Sequence, residues 1–173
     1  MLSDQIASKN NYVILVNEKD QPIGEMSKLE VHKKGLLHRA FSTFIFNYNE
    51  QLLLQRRAKA KYHSGNLWTN TCCSHPRPGD CTLEAAKRRL KEEMGIETEL
   101  EKKFDFIYQA HLDNNLIEYE WDHVYVGHYN QQPFLNTEEA SDYRWVSIHE
   151  LKDEIKLFPG KFTEWLKIAI HSF

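Results

Sequence analysis

The segment Trp68-Thr-Asn-Thr-Cys-Cys-Ser-His-Pro76 places a thiol and an imidazole two residues apart. In an extended chain, side chains two apart share a face, so Thr71, Cys73 and His75 are expected to project together, with Cys72 turned away. A thiol has a reference pKa of about 8.5 and can serve as proton donor or thiolate near neutrality, depending on the charge around it. Just downstream, Arg88-Arg-Leu-Lys-Glu-Glu-Met-Gly95 adds two arginines and two carboxylates. A third concentration lies in Glu118-Tyr-Glu-Trp-Asp122, where Glu118, Glu120 and Asp122 alternate onto one face, opposite Tyr119, Trp121 and His123.

These groups need elements to carry them. A helix is expected from about residue 80 to Gly95, capped by Asp80 or Thr82 and ended by Gly95 in the left-handed region. Leu83, Ala86, Leu90 and Met94 form its apolar stripe, and Arg89 and Glu93, four apart, lie along the edge. Strands are expected over 12–16, 38–47, 51–57, 68–74, 104–112, 117–129 and 143–146. Residues 38–57 read as one hairpin, and 104–129 as a second, joined by Asp113-Asn-Asn115. Residues 17–24 read as turn-rich, 59–67 as a loop, and 27–32, 147–156 and 162–171 as helical. Hairpin-connected strands mixed with few helices imply an α+β domain layered α/β/α, with the whole chain, 1–173, as one domain.

Composition excludes several classes of function. Lys and Arg number 22 against 25 Asp and Glu, a net charge of −3, so no basic field awaits nucleic acid and any anion must be held locally. No apolar run is long enough to span a bilayer and no signal segment is evident, so a cytoplasmic location is expected, with neither a membrane nor a nucleic acid as partner. Cys72, Cys73 and Cys81 are a poor disulfide framework and read as reduced thiols. Nine histidines, in contrast, are many for this length.

Leu36-Leu-His-Arg-Ala-Phe41, Leu52-Leu-Leu-Gln-Arg-Arg57, Trp68-Thr-Asn-Thr-Cys-Cys-Ser-His-Pro76 and Glu118-Tyr-Glu-Trp-Asp122 together closely resemble type I isopentenyl-diphosphate isomerases. The resemblance implies a Nudix-like fold, and Arg88–Ile96 reads as a weakened Nudix motif. Arg89 stands where a Nudix hydrolase carries a glutamate, and Ser74 where the motif's leading glycine falls, which leaves the hydrolytic metal set incomplete. Glu93 remains, and by resemblance it holds a substrate-bridging Mg²⁺ together with the Cys73 carbonyl.

By the same resemblance His32, His38, His75, Glu118 and Glu120 form a mixed nitrogen and oxygen site for a further divalent metal, Mn²⁺, Zn²⁺ or Fe²⁺. Any one of these histidines alone would read as an ordinary hydrogen-bonded residue; the set in family order does not. The remaining histidines, His63 among them, read as structural or surface residues. Cys73 and Glu120 are implied as the proton-transferring pair, with Tyr108 near Glu120 and Trp165 facing a carbocation through its π-electrons. Which of the two protonates first stays open.

Lys28, Arg57, Lys61 and Arg89 are implied as contacts to an isoprenoid diphosphate, while Arg56 and Arg88 read as solvated. The expected activity is interconversion of isopentenyl and dimethylallyl diphosphate, by a monomer or homodimer. Two rivals accompany it. A Nudix hydrolase would cleave a nucleoside or isoprenoid diphosphate, and a catalytically dead binding module would be expected to have lost Cys73 or Glu120.

Overall fold

A computed structural model describes residues 11–173. The described residues form nine strands, β1 (Tyr12–Val16), β2 (Pro22–Ser27), β3 (His38–Phe46), β4 (Gln51–Arg57), β5 (Trp68–Thr69), β6 (Cys72–Ser74), β7 (Leu100–His111), β8 (Ile117–His128) and β9 (Ala140–Ser147). Four α-helices accompany them: α1 (Lys28–Lys34), α2 (Thr82–Met94), α3 (Ile148–Leu157) and α4 (Glu164–Ala169). None of the described helices is long and apolar enough to cross a membrane.

β3 is the central strand. Its residues are buried from Ala40 to Ile45 on both faces, and such a strand must find partners along both edges. One edge pairs in parallel with β8 over its whole length, His38 opposite Glu120 through Phe46 opposite His128. The other is shared among β1, β6 and β4. The expected hairpin of residues 38–57 is therefore splayed. β3 and β4 meet only at Phe46 and Leu52, β6 inserts beside Phe41–Thr43, and β4 pairs along its length with β9. The hairpin of β7 and β8 forms as expected, with Tyr108 opposite Glu120.

Residues 22–24, read as turn, instead begin β2, the outermost strand beside β1. Pro22 is its first residue, where a missing N–H breaks no inner ladder. The cap of α2 also differs from expectation. Cys81 takes that position without a side-chain cap, because the Asp80 carboxylate already accepts from the Arg77 backbone N–H (3.1 Å) and from Arg88 (2.6 Å). Gly95 ends the helix at φ 65°, as its position predicts.

Strand alternation splits the core into two layers. Phe41, Ile45, Leu53 and Cys72 meet Ala85, Ala86, Leu90 and Met94 of α2. On the other face Phe44, Leu52, Leu54 and Val124 meet Leu151 of α3 and Leu166 and Ala169 of α4. Each fully buried large side chain contributes roughly 1.5–3 kcal/mol, so both layers are strongly held. The result is an α/β/α sandwich, and the polar residues described next occupy one end of the face that α4 covers.

Candidate active site

β8 supplies the floor. Glu118, Glu120 and Asp122 fall on its inner face and are 3%, 6% and 1% exposed. Parallel pairing sets His38 against Glu120, and β7 sets Tyr108 against Glu120 from the other side. α1, capped by the Ser27 hydroxyl and ended by Gly35 at φ 61°, carries Lys28 and His32 one turn apart. In β6, Cys73 lies opposite Ser42 and faces the site, while Cys72 points into the α2 layer, the alternation expected of an extended segment. Thr71 departs from that alternation. The chain breaks pairing between β5 and β6, and its hydroxyl turns to the sheet, donating to Leu53 O (2.7 Å) and accepting from Ile45 N (3.0 Å).

His32, His38, His75, Glu118 and Glu120 each offer one ligand atom, and all five atoms lie within 4.8 Å of one another. The Nδ1 atoms of His32 and His38 sit 2.5 Å from Lys28 O and 2.8 Å from Leu36 O. A carbonyl can only accept, so both Nδ1 atoms carry a proton, and each ring in its neutral form has its Nε2 lone pair free to face a metal. His38 Nε2 stands 3.2 Å from His75 Nε2, which stands 2.7 Å from Glu120 Oε1, and His32 Nε2 is 3.2 Å from Glu118 Oε2. Converging lone pairs and carboxylates, with imidazoles oriented from behind by carbonyls, is the donor set and outer support of a divalent metal site.

The electrostatics agree. Burial drives the Glu118 carboxyl well above its ordinary range, and the Glu120 charge adds to this. Burial also raises the Glu120 carboxyl, but the ring nitrogens of His38 and His75 outweigh it and hold this carboxyl well below. Burial lowers the His32 imidazole and brings His75 down to about 3. Neutral imidazoles against carboxylates that crowd each other are what a cation relieves. The residues therefore fit a bound divalent ion.

A narrow cavity of about 30 Å³ adjoins this cluster, walled by Cys73, His75, Tyr108, Glu118, Glu120, Trp165, Lys28, Arg57 and His63 among others. Burial pushes the Cys73 thiol up to about 12, so it is protonated at neutral pH. Burial, with the Glu120 charge, likewise holds the Tyr108 phenol well above its usual range, and its O–H donates to Glu120 Oε2 at 2.6 Å. Trp165 is fixed by donating its indole N–H to Thr69 Oγ1 (2.8 Å). The Arg57 guanidinium lies 5.3 Å from the Trp165 ring centre and donates to the carbonyls of His63 (3.3 Å) and Ser64 (3.2 Å).

The other sequence-predicted residues stand outside the cavity wall. Lys61 pairs with Glu139, which also accepts from Arg89 at 3.0 Å. Arg89 further donates to Glu92 and Glu93, both at 2.7 Å, and Glu93 accepts from Gln55 Nε2 at 2.9 Å. Burial lowers the Lys28 ammonium, and the charges of Lys61, Arg57 and Arg89 press it further down, so the four predicted cations share one electrostatic neighbourhood. His63 is the residue that sequence reasoning passed over: it is 4% exposed and sits on the cavity wall. It lies in an aperiodic loop, where spacing carries no signal.

The NUDIX domain family matches residues 36–166. The fold is shared with the crystal structure of DR0079 from Deinococcus radiodurans (TM-score 0.77, 19% identity, 93% of this chain and 98% of that one). It is shared as well with the MutT protein from Methanosarcina mazei (TM-score 0.65, 16% identity, 79% and 91%). The chain belongs to the NUDIX domain family. Nearer relatives are isopentenyl-diphosphate Delta-isomerase 2 of Photorhabdus laumondii, 50% identical over 92% of this chain and 90% of that one, and isopentenyl-diphosphate Delta-isomerase of Serratia proteamaculans, 53% identical over 88% and 86%. Within the NUDIX class, the chain belongs to the type I isopentenyl-diphosphate Delta-isomerases.

Proposed function

We propose that this chain interconverts isopentenyl and dimethylallyl diphosphate, with Cys73 and Glu120 as the proton-transferring pair. The observation that carries this reading is one cavity lined by both a protonated thiol and an ionised carboxylate beside a five-donor metal cluster. Moving the double bond takes one proton onto C4 and removes one from C2, through a tertiary carbocation. A donor and an acceptor facing one cavity meet that requirement without net proton change. Tyr108 donates to Glu120 and holds its carboxylate in position, while the indole of Trp165 shields the cation from water.

His32, His38, His75, Glu118 and Glu120 would hold one divalent ion, Mn²⁺, Zn²⁺ or Fe²⁺. Glu93, with the Cys73 carbonyl, would hold a substrate-bridging Mg²⁺. Bound there, such ions supply positive charge that favours ionised carboxylates and anchors phosphate oxygens. Lys28, Arg57, Lys61 and Arg89 hold the diphosphate, and an anion among them relieves the mutual repulsion that weakens Lys28. The chain works as a monomer or homodimer in the cytoplasm.

Incubation with isopentenyl diphosphate and divalent metal in deuterated water tests this. The expected result is deuterium in dimethylallyl diphosphate with no phosphate released. Phosphate release without label would instead mark a hydrolase.

A further inference from the structure

Each Glu118 oxygen faces an imidazole nitrogen. Oε2 is 3.2 Å from His32 Nε2, and Oε1 is 3.3 Å from the Nε2 of His63. His63 Nδ1 faces the Ser64 hydroxyl at 3.1 Å, and a hydroxyl can donate there, an arrangement in which the ring proton sits on Nε2, toward the carboxylate. The ring itself is clamped. Tyr62 stands edge-on to it with centroids 4.5 Å apart, and Trp165 stands edge-on at 6.1 Å. Its backbone is tied down too, because Arg57 bonds the carbonyls of His63 and Ser64, and Asp113 of the β7–β8 turn accepts from Ser64 N at 3.2 Å.

We propose that His63 is a positioning residue of the metal centre, turning its Nε2–H toward Glu118 Oε1 and leaving Oε2 as the oxygen that faces the His32 side of the cluster. The inference rests on the isomerase reading's metal cluster. A carboxylate free to rotate can turn either oxygen inward, and a donor on one oxygen removes that freedom. Partners behind ligating groups usually matter at the level of 10–100-fold in metal affinity. His63 also links the centre to the diphosphate side, since the guanidinium that bonds its carbonyl is that of Arg57.

The test compares His63→Phe, which keeps the edge contacts but loses the donor, with His63→Gln, which restores a side-chain N–H. Mn²⁺ and Zn²⁺ alone, titrated against a chromophoric chelator, give affinity without reference to turnover. His63→Phe is expected to bind either ion roughly 10–100-fold more weakly. It should also raise the metal concentration needed for half-maximal activity, with KM for isopentenyl diphosphate at saturating metal within about twofold of wild type. His63→Gln is expected to recover most of the affinity. Wild-type metal affinity in a folded His63→Phe overturns the proposal and leaves the isomerase reading untouched. Equal loss in folded Phe and Gln variants also overturns it, assigning His63 to packing alone. A wild-type chain that binds neither ion overturns this inference, whereas wild-type chain that binds metal yet incorporates no deuterium sinks only the isomerase reading.

Discussion

Tyr108 and Glu120 face each other across the β7–β8 hairpin, and the phenol O–H donates to Glu120 Oε2 at 2.6 Å while Oε1 faces His75 Nε2 at 2.7 Å. The carboxylate is thus held from both sides, by a neighbouring strand and by the segment that follows β6. Tyr108→Phe keeps the ring and removes only the donor. Its kcat/KM is expected to fall by about 10²-fold, the lower end of acid–base contributions, with melting temperature nearly unchanged. Activity within twofold of wild type would show that Glu120 does not depend on Tyr108 for its position.

Cys73→Ala and Glu120→Gln each delete one side of the proton exchange. Both should lose deuterium incorporation by at least about 10³-fold while retaining wild-type circular dichroism. Label entering at an undiminished rate in either variant rejects the role of that residue.

Metal should stabilise the fold, because Glu118 and Glu120 crowd each other without a cation between them. At a hundredfold excess over its dissociation constant, an ion that binds only the folded chain adds about 2.7 kcal/mol. For this length that is roughly 5–10 °C in melting temperature. Scanning calorimetry with and without chelator reads it, and His38→Ala should abolish most of the difference. An identical transition in both conditions would contradict the ligand set.

Glu139 lies between Lys61 and Arg89. Burial alone would raise its carboxyl, and the two cations outweigh that, bringing it from 4.5 to about 2. The folded state binds this proton more weakly than the unfolded state. The stabilisation is therefore fully present above about pH 4.5 and is lost as pH falls toward 2. The side chain is 21% exposed, so solvent screening limits the effect to about 1–2 kcal/mol. Urea midpoints for wild type and Glu139→Gln should converge on acidification through this window; a constant gap down to pH 2 would exclude the linkage.

Gly95 closes α2 at φ 65°, and a Cβ there would lie 2.8 Å from Phe134 Cβ. Gly95→Ala therefore meets both backbone strain and a clash with the 134–136 segment that bonds the helix end through Met94 O and Glu93 O. A loss of about 1–3 kcal/mol in urea unfolding is expected, and a neutral substitution would show that this helix end adjusts freely.

The sequence alone determined the parts that obey local rules. The β7–β8 turn, the α2 stripe with its Arg89–Glu93 pair and Gly95 stop, and the opposed facing of Cys72 and Cys73 all follow from periods of 3.6 and 2. Five prospective ligands were legible only through the resemblance to a known family, since no one of them stands out by residue type, and the structure brings all five together. Tertiary structure decided what depends on distant chain. Residues 38–57 looked like a hairpin because turn signals act over a few residues, yet β6 takes the edge of β3 beside Phe41–Thr43 and β4 pairs along its length with β9, some ninety residues on. His63 could not be read from its loop for the same reason: its place is set by Arg57, Asp113 and Trp165, which only folding brings to it.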